Sequence, residues 1–270
     1  MNKFFLLVCL ITILFSCSND NDKNEAIKSC KLISVKTRVL TYDDIVLSNT
    51  TFDPNFTGRI NFEYDTENRI SKVKGSFVTI PSSNDLTNWR MSNESEDLIT
   101  YENDIIKVQY SHNFTSPYTK EYVIIDGRLV NRKVTNLYPL KSEPILYTYH
   151  YKDNEITEMV NGRVYRKFLL SDGNLLKVEQ IKYSFPDNEI IGKREYIFSG
   201  YDNSENLLKG KFFISGALFK AFSKNNYSNI DVCDYGIFDN VFILLDTASS
   251  TYESSYDSDN ISLIFERECN

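Results

Sequence analysis

Two histidines are the residues of this chain best suited by type to proton transfer or metal binding. His112 lies in YSHNF and His150 in YHYKD, and both stand beside aromatic residues that are typical of β-strands. No serine occupies a G-x-S-x-G elbow, and no glycine-rich segment could hold a phosphate group. We therefore interpret both histidines as strand or turn residues. The sequence predicts no catalytic residue, no metal site and no cofactor.

Paired carboxylates are the catalytic device that the composition still permits. A glycosidase needs two acids about 5 to 10 Å apart with no fixed spacing in sequence, and the chain has 37 acidic residues. The candidate pairs are Asp43 with Asp44, Asp153 with Glu155, and Asp257 with Asp259. All three pairs stand in turn-like segments, so we interpret them as turn formers and solvated charges. A hydrolase acting on polysaccharide remains the alternative to a non-enzymatic protein.

The single tryptophan marks a candidate binding site. Residues 81–97, PSSNDLTNWRMSNESED, form the longest polar interruption between strand-like segments, and Trp89 and Arg90 lie in its middle. Long loops on a rigid sheet commonly carry binding residues, and an exposed tryptophan can stack on a sugar or a partner. The other interpretation has Trp89 folding back over the end of the sheet.

Repeated β-hairpins are the elements that must position these residues. The stretch FEYDTENRISKV (62–73) reads as an aromatic strand, an Asp-containing turn and a strand that opens with an aliphatic residue. Comparable turns follow in TYENDIIKV, VIIDGRLV, YHYKDNEITEM, LLSDGNLLKV and GYDNSENLLKG. Asp-Gly and Asp-Asn between apolar runs are hairpin signals, because these residues tolerate positive φ. A further hairpin is predicted at SYDSDNISLIFE (255–266).

Consecutive hairpins predict an all-β fold, an antiparallel meander, because short turns join antiparallel neighbours. A sheet of about a dozen strands must curve, split or close to protect its edges, so we expect a curved or barrel-like sheet. Residues 214–225, ISGALFKAFSKN, break the pattern. Leu218, Phe219, Ala221 and Phe222 are spaced for one side of a short helix. We predict a helix or irregular plug that packs against the sheet.

The N-terminal residues predict export and lipid attachment. An apolar run from Phe4 to Phe15 follows Lys3 and has the length of a secretory h-region, well short of the roughly 20 residues that span a membrane. LFSC, residues 14–17, resembles a lipobox. The resemblance implies that residues 1–16 are a lipoprotein signal peptide and that Cys17 becomes acylated, for example by palmitate. An ordinary secretory signal is the alternative.

Residues 17–29 are predicted to form an acidic flexible tether, because this composition cannot bury a core. Asp20, Asp22 and Glu25 follow the lipobox closely, which resembles the export signal of Bacteroidota-type surface lipoproteins. The resemblance implies attachment to the outer membrane through the acyl chains of Cys17, with the protein facing outward. A periplasmic orientation, with the tether as a plain linker, is the alternative.

Residues 30–270 are predicted to form a single β-meander domain. The chain has 37 acidic and 30 basic residues and a net charge of −7, and removal of Lys3 with the signal makes the charge −8. This balance argues against nucleic acid as a partner, because phosphates require basic patches. It also argues that acyl chains alone provide membrane contact, since anionic lipid repels an acidic chain.

Three cysteines, Cys30, Cys233 and Cys269, remain in the predicted mature protein. An exported chain meets oxidising conditions, and none of the spacings is C-x-x-C. Cys30 opens the first apolar segment and Cys269 closes the last. If those terminal strands lie side by side and antiparallel, Cys30 faces Cys269. We prefer this disulfide, while the two pairings that use Cys233 stay open.

One further modification site is predicted on Thr247. The triplet of Asp246, Thr247 and Ala248 resembles the Asp-Thr-small-apolar acceptor for O-glycosylation in exported proteins of Bacteroidota. The resemblance implies a glycan on the Thr247 hydroxyl.

A wider resemblance begins at Tyr64, Asp65, Asn68, Arg69 and Ile70, which look like the YD repeats of secreted bacterial proteins. With the lipobox and YDNSENLLKG, residues 30–269 resemble uncharacterised Bacteroidota lipoproteins of porin-like β-meander fold. The resemblance implies a fold and a location, and it transfers no catalytic residue. We expect a non-enzymatic, lipid-anchored protein at the outer membrane surface that binds a glycan, a peptide or a neighbouring envelope protein.

Overall fold

The computed structural model describes residues 30–36, 59–79, 89–111, 118–136, 143–184, 187–251 and 265–269. Lys31–Glu268 form one compact unit. The other unit, Met1–Cys30 with Cys269–Asn270, lies almost wholly outside the described residues. The signal peptide at 1–16, the tether at 17–29 and the single domain at 30–270 therefore stay predictions. Most of the hairpin predicted at 255–266 also lies outside the described part.

Strands make up most of the described chain. In chain order they are β1 (Cys30–Lys36), β2 (Arg59–Tyr64), β3 (Ile70–Thr79), β4 (Trp89–Glu102), β5 (Ile105–Ser111), β6 (Tyr118–Ile125), β7 (Arg128–Asn136), β8 (Ile145–Lys152), β9 (Glu155–Val160), β10 (Arg163–Ser171), β11 (Asn174–Tyr183), β12 (Ile190–Glu205), β13 (Asn225–Phe238), β14 (Val241–Thr251) and β15 (Phe265–Cys269). One helix, α1 (Leu218–Ala221), lies between β12 and β13.

All fifteen strands belong to one sheet, in which β1 to β14 follow chain order and β15 lies beside β1. Each consecutive pair from β1–β2 to β13–β14 is antiparallel. Among the described strands, β14 and β15 are the two edges, so the sheet is open. The predicted all-β meander of hairpins is confirmed, and so is the short helix near 214–225.

The predicted hairpin turns form because their residues accept positive φ. Asn103, Asp126, Asp153 and Asp172 have φ between 50° and 53°, a conformation that Asn and Asp adopt more readily than bulkier residues. In the longer first turn, Asp65 accepts hydrogen bonds from the backbone N–H groups of two turn residues, each at 2.9 Å. These bonds lower the pKa of Asp65, and the bond from the Arg69 N–H is the largest cause. A hairpin therefore forms at each of these positions.

Because neighbouring strands are antiparallel, successive connections lie at opposite ends of the strands, and the two ends differ. At one end, named the plug end, lie the short turns after β2, β4, β6, β8 and β10, and also residues 206–224, which join β12 to β13. The other end, named the recess end, is where β3, β5, β7, β9, β11 and β13 end. Leu207–Gly210, the end of the predicted sixth hairpin GYDNSENLLKG, lie within residues 206–224 and not in a strand.

Residues 206–224, named the plug, fold as a set of turns around α1 and bury apolar side chains. Asn206 holds the plug together, because its Nδ2 donates to the carbonyls of Lys220 (2.7 Å) and Ser223 (2.8 Å) while its Oδ1 accepts from the Leu208 N–H. The helix is shorter than the predicted segment. All four of its residues are buried: Leu218, Phe219 and Ala221 of the predicted apolar side lie in the interior, and Lys220 between them is buried as well.

The plug lies in the concavity of a curved sheet. The Ser215 hydroxyl donates to Asp97 on β4 (2.9 Å), and the Lys220 ammonium donates to the Tyr227 carbonyl on β13 (2.9 Å). A flat sheet would hold β4 and β13 about 43 Å apart, at about 4.8 Å per strand. Five residues of chain reach at most about 18 Å. The sheet must therefore curve around the plug, as the hairpin pattern predicted.

Tyrosine hydroxyls connect neighbouring strands near the plug end. Each donates to the carbonyl of an aliphatic residue near the start of the preceding strand: Tyr64 to Leu32 (2.7 Å), Tyr101 to Ile70 (2.7 Å), Tyr151 to Leu129 (3.0 Å) and Tyr201 to Leu175. In the first three of these tyrosine links, the cation just before the acceptor residue (Lys31, Arg69, Arg128) lies 4.5–5.4 Å from the ring. The sequence repeat thus has a structural basis.

Candidate functional site

A row of charged and polar side chains crosses the inner face of the sheet. Strand register sets this row, because Glu158 on β9 pairs with Arg166 on β10, and Arg166 pairs with Gln180 on β11. Gln180 in turn pairs with Arg194 on β12, and Arg194 with Asp234 on β13. Residues directly opposite on neighbouring strands share one face. The row therefore runs from β9 to β13 inside the curved sheet.

Glu158 is the centre of a buried charge cluster. Its carboxylate accepts from the Tyr149 hydroxyl (2.6 Å) and from Arg132 (3.0 Å), and it pairs with Arg166 at 3.5 Å. Glu158 and Arg166 are fully buried and Arg132 almost so. Burial, the largest cause, raises the pKa of Tyr149 well above its usual value, so the hydroxyl stays a donor. The cluster fixes strands β7 to β10 relative to one another.

Two tyrosines lie on the guanidinium groups of this cluster. The Arg132 guanidinium carbon is 4.0 Å from the Tyr147 ring centre, and that of Arg166 is 4.7 Å from the Tyr165 ring centre. The two rings are 5.9 Å apart. Such stacking restrains both partners, because a desolvated cation over a ring contributes about 2 kcal/mol. Tyr147 and Tyr165 therefore have a rigid support beneath them.

A recess of about 410 Å³ opens at the recess end, next to Tyr165. Its lining consists of Val160, Asn161, Arg163, Val164, Tyr165, Tyr183 and Asn188. The Tyr183 hydroxyl donates to the Val164 carbonyl (2.8 Å), and the Arg163 guanidinium lies 5.9 Å from the Tyr183 ring centre. Gln180 donates to the Tyr165 hydroxyl at 3.4 Å. Two oriented aromatic rings, a guanidinium and two side-chain amides thus face one concave volume.

The lining suits recognition of a polar ligand that has an apolar face. Tyrosine rings offer a stacking surface with little conformational entropy to lose, while amides and a guanidinium donate hydrogen bonds in fixed directions. Among the described residues that line the recess, none carries a carboxylate. The paired acids that glycoside hydrolysis requires are therefore not supplied by this described lining.

On the far side of the row, Asp234 holds two cations. It accepts from Arg194 at 2.6 and 2.8 Å and from Lys182 at 2.6 Å. The hydrogen bond from Arg194 to Asp234 is the largest of the causes that raise the pKa of Arg194. The three residues come from β11, β12 and β13. This ion cluster fixes the register of those strands and keeps the row charged beside the recess.

The predicted binding residues Trp89 and Arg90 begin β4, where they pair with Thr79 and Val78 of β3. This position is at the recess end of the strands. In the sheet order β4 is five strands away from β9, which contributes Val160 to the recess. The side chains of Trp89 and Arg90 lie outside the described part of the structure. Their binding role stays a prediction, and the described recess lies elsewhere along the same end.

The predicted disulfide pair, Cys30 and Cys269, lies on β1 and β15, which are neighbours in the sheet. The side chains of both cysteines lie outside the described part, so the disulfide stays a prediction. Cys233 on β13 is a free, half-buried thiol. Thr247 is exposed on β14, and its N–H donates to the side chain of Asp246. Its glycosylation also stays a prediction, as does the acylation of Cys17.

Of the predicted acid pairs, Asp153 and Glu155 lie in the described part. Asp153 is the β8–β9 turn residue with φ of 50°, and Glu155 accepts from the Thr157 hydroxyl at 3.3 Å. Both are exposed, in agreement with their interpretation as turn-forming and solvated residues. His150 is exposed on β8. The other acid pairs, at 43–44 and 257–259, and His112 lie outside the described residues.

Sequence reasoning missed the charge cluster of Arg132, Glu158 and Arg166. Within YRKFLL of β10, Arg166 is buried and Lys167 is exposed, so charged residues of one strand lie on both faces of the sheet. The available signal was an alternation in EITEMV, where Ile156 and Glu158 fall on the same face. That alternation places an acid on the buried face of β9. No local pattern shows that two arginines from other strands meet it.

Two kinds of feature are absent from the described residues. No helix among them has the length and apolar character that a membrane span requires. No group of three or more His, Cys, Asp or Glu side chains in the described part lies in an arrangement that could hold a metal ion.

Comparison with known proteins finds similarity at the level of structure. No family model matches this chain, and no curated protein matches it. A crystal structure described as a porin-like protein from Bacteroides uniformis is 9% identical, with a TM-score of 0.36, over 72% of this chain and 88% of that one. A second porin-like protein, from Bacteroides vulgatus, is 14% identical, with a TM-score of 0.38, over 78% and 92%.

Proposed function

We propose that this protein is a non-enzymatic binding protein of the bacterial envelope and that its ligand occupies the recess at the ends of β9 to β12. One observation carries the proposal: Tyr165 and Tyr183 face the same concave volume as Arg163 and the amides of Asn161 and Asn188. The rings offer flat apolar surface and the other groups offer directed donors. This combination matches a glycan, whose rings have apolar faces and hydroxyl edges.

Contact with the buried Arg166 holds the Tyr165 ring in place, which makes the recess suitable for binding. Tyr165 lies on Arg166, which is fully buried beside Glu158, so the ring is held before a ligand arrives. A preorganised site loses less entropy on binding than a flexible one. A rigid recess on the inner side of strands therefore serves binding better than a mobile loop would. A peptide end or a loop of a neighbouring envelope protein is the alternative ligand.

The proposed location is the outer membrane, with the protein facing outward and anchored through acyl chains on Cys17. The support is in the sequence: LFSC at 14–17 follows an apolar run, and Asp20, Asp22 and Glu25 follow Cys17. The repeating tyrosine links with Asp-containing turns support a YD-like repeat. A periplasmic orientation is the alternative. An acidic tether with no apolar residue from Ser18 to Glu25 suits a domain held away from the lipid surface.

The binding proposal is tested by replacing the arginines of two matched Arg–Tyr pairs, one at each end of the strands. Arg163 lies 5.9 Å from the Tyr183 ring at the recess, and Arg128 lies 5.4 Å from the Tyr151 ring at the plug end. Affinity electrophoresis with laminarin, mannan and pectin serves as the assay. We expect Arg163→Ala and Asn188→Ala to weaken retardation at least tenfold and Arg128→Ala to leave it unchanged. Equal retardation of all variants would contradict the proposal.

Two further measurements separate the alternatives. Release of reducing ends from the same polysaccharides would favour the hydrolase. Protease accessibility on intact cells tests location: an accessible wild type, protected once Asp20 and Asp22 are replaced by Asn, supports the outward orientation. Protection of both forms, with Cys17→Ala released in soluble form, would place the protein in the periplasm.

A further inference from the structure

The last meander strand, β14, exposes an apolar run on an edge of the sheet. Val241 to Leu245, VFILL, are five consecutive large apolar residues, each 42% to 69% exposed. Phe238, which pairs with Val241 across the β13–β14 turn, is 69% exposed. Both faces of the strand contribute, because alternate residues point in opposite directions. Among the described strands, β14 has β13 as its one neighbour.

The two edges of the sheet differ in how they resist pairing. Natural edge strands are protected by charges, prolines or bulges, because unpaired backbone groups recruit other strands. β15, FEREC, carries three charged residues in five. Val241 to Leu245 contain no charge and no proline, and the first acid, Asp246, comes directly after the run. A register shift in the β13–β14 ladder lies at the end of the run, at Leu245. The β14 edge therefore lacks the protection that the composition of the β15 edge provides.

The exposed apolar area is large enough for a stable contact. Five side chains of this size at these exposures, with Phe238, present about 600 Å², at the upper limit of the apolar patches that monomers expose. Two such surfaces together give about 1,200 Å², which reaches the lower bound of stable protein interfaces. Edge-to-edge pairing of two such strands brings the facing parts of these side chains into contact on both faces of the joined sheet and removes that part of the area from water in both copies.

We propose that β14 is a homodimer interface, in which the β14 strands of two copies pair antiparallel about a two-fold axis through Ile243. A two-fold contact requires a surface that matches itself, and a run without charge does so. With Ile243 opposite its own copy, Val241 lies opposite Leu245 and Phe242 opposite Leu244. Asp246 then falls opposite Asn240 in the turn, outside the apolar pairing. The order β13–β14–β14–β13 continues the antiparallel pattern of the sheet.

A matched pair of exposed apolar residues tests the dimer. Ile243 on the edge and Leu169 in β10 have similar exposure, 46% and 42%, but Leu169 lies within the sheet, where another copy cannot pair. Sedimentation equilibrium of the purified full chain measures the dissociation constant. We expect a dimer for the wild type and for Leu169→Lys, and at least a hundredfold weaker association for Ile243→Lys. A monomeric wild type up to 100 µM would overturn the proposal.

Cysteine cross-linking tests the register. A residue on the two-fold axis faces its own copy at the Cα separation that a disulfide requires, about 4.4 to 6.8 Å. We expect Ile243→Cys to form a covalent dimer on mild oxidation, faster than Leu169→Cys and faster than the wild type with Cys233. Cross-linking that is no faster than in those controls would exclude this pairing.

A membrane surface is the competing occupant, and flotation with phosphatidylcholine vesicles distinguishes it. Vesicle binding by the unacylated Cys17→Ala chain that Ile243→Lys abolishes, with no dimer at any concentration, would assign the edge to lipid and overturn the proposal. The inference does not depend on the recess, because glycan retardation and dimer mass are separate measurements.

Discussion

Glu158 shows at the scale of single residues how a buried carboxylate can organise several strands. It accepts a hydrogen bond from one hydroxyl and lies close to two guanidinium groups, so protein groups compensate its charge. Such clusters contribute little net stability compared with apolar packing, but removing one partner leaves buried charge of the other sign. The cluster therefore acts as a specificity element that holds β7 to β10 in register beneath the recess.

Glu158→Gln should destabilise the protein by about 3 to 5 kcal/mol, because two buried guanidinium groups lose their anion. The matched control is Glu179→Gln on the outer face, where the Lys193 pair at 2.9 Å is partly solvated. We expect the control to cost less than about 1 kcal/mol. Urea unfolding monitored by fluorescence measures both. Equal losses would show that the buried cluster has no special role.

Lys220 gives stability a dependence on pH. Its ammonium is fully enclosed in the plug and burial lowers its pKa to about 7. The unfolded chain keeps this proton up to about pH 10.5, so between pH 7 and 10.5 the unfolded state binds more protons and stability rises with pH. Below pH 7 both states are protonated, and the full desolvation cost is present.

Lys220→Met should therefore stabilise the protein near pH 7 and remove the rise between pH 7 and 10.5, which amounts to at most about 5 kcal/mol. Lys209→Met, an exposed lysine of the same plug, is the control and should keep the rise. Thermal unfolding at several pH values measures the difference. A wild type and Lys220→Met with parallel pH profiles would contradict the assignment.

At the scale of elements, the tyrosine links hold neighbouring strands together. Each fixes a strand to the one before it near the plug end, and three of them also place a cation over the tyrosine ring. Burial raises the pKa of Tyr101 and of Tyr151 to about 12, so these hydroxyls remain donors at physiological pH. A short turn closes each hairpin, and the link then joins that hairpin to its predecessor.

Tyr101→Phe should lower stability by about 1 kcal/mol, the net value of one hydrogen bond, since the ring and its contact with Arg69 remain. Combining it with Arg69→Ala in a double-mutant cycle measures how strongly the hydroxyl and the stacked cation depend on each other. A coupling of about 0.5 kcal/mol or more would show that the link works as a unit. Strict additivity would show two independent contacts.

At the scale of the whole molecule, local chemistry predicted the hairpins but not the interior. Asn103, Asp126 and Asp153 specify their own turns, so five of the six plug-end hairpins in the pattern are present. The sixth segment, which ends at Gly210, has the same sequence pattern as the hairpins but enters the plug. Turn residues alone do not require a strand to follow. The recess combines residues of β9, β10, β11 and the connections that follow β9 and β11, and no single short motif shows that Tyr165 and Tyr183 face one volume.

The plug packs against β4, β8, β10, β12 and β13, and Phe219 is its central side chain. Its ring lies 5.2 to 6.2 Å from those of Phe168, Tyr196 and Phe198 on β10 and β12. Phe219→Ala should cost about 3 to 5 kcal/mol through the cavity it leaves. Leu169→Ala on the exposed outer face should cost much less. Calorimetry measures both, and similar melting temperatures would contradict a central role for the plug.

Pairing of β1 with β15 delays completion of the sheet until β15 has been synthesised. Every other neighbouring pair joins strands that are consecutive in the chain, so its loop closes at small entropic cost. Lys36 and Phe265, by contrast, are 229 positions apart. During synthesis the N-terminus emerges first, and β1 then has β2 as its neighbour while β15 is still unmade. The first strand to be made is thus among the last to gain both of its neighbours.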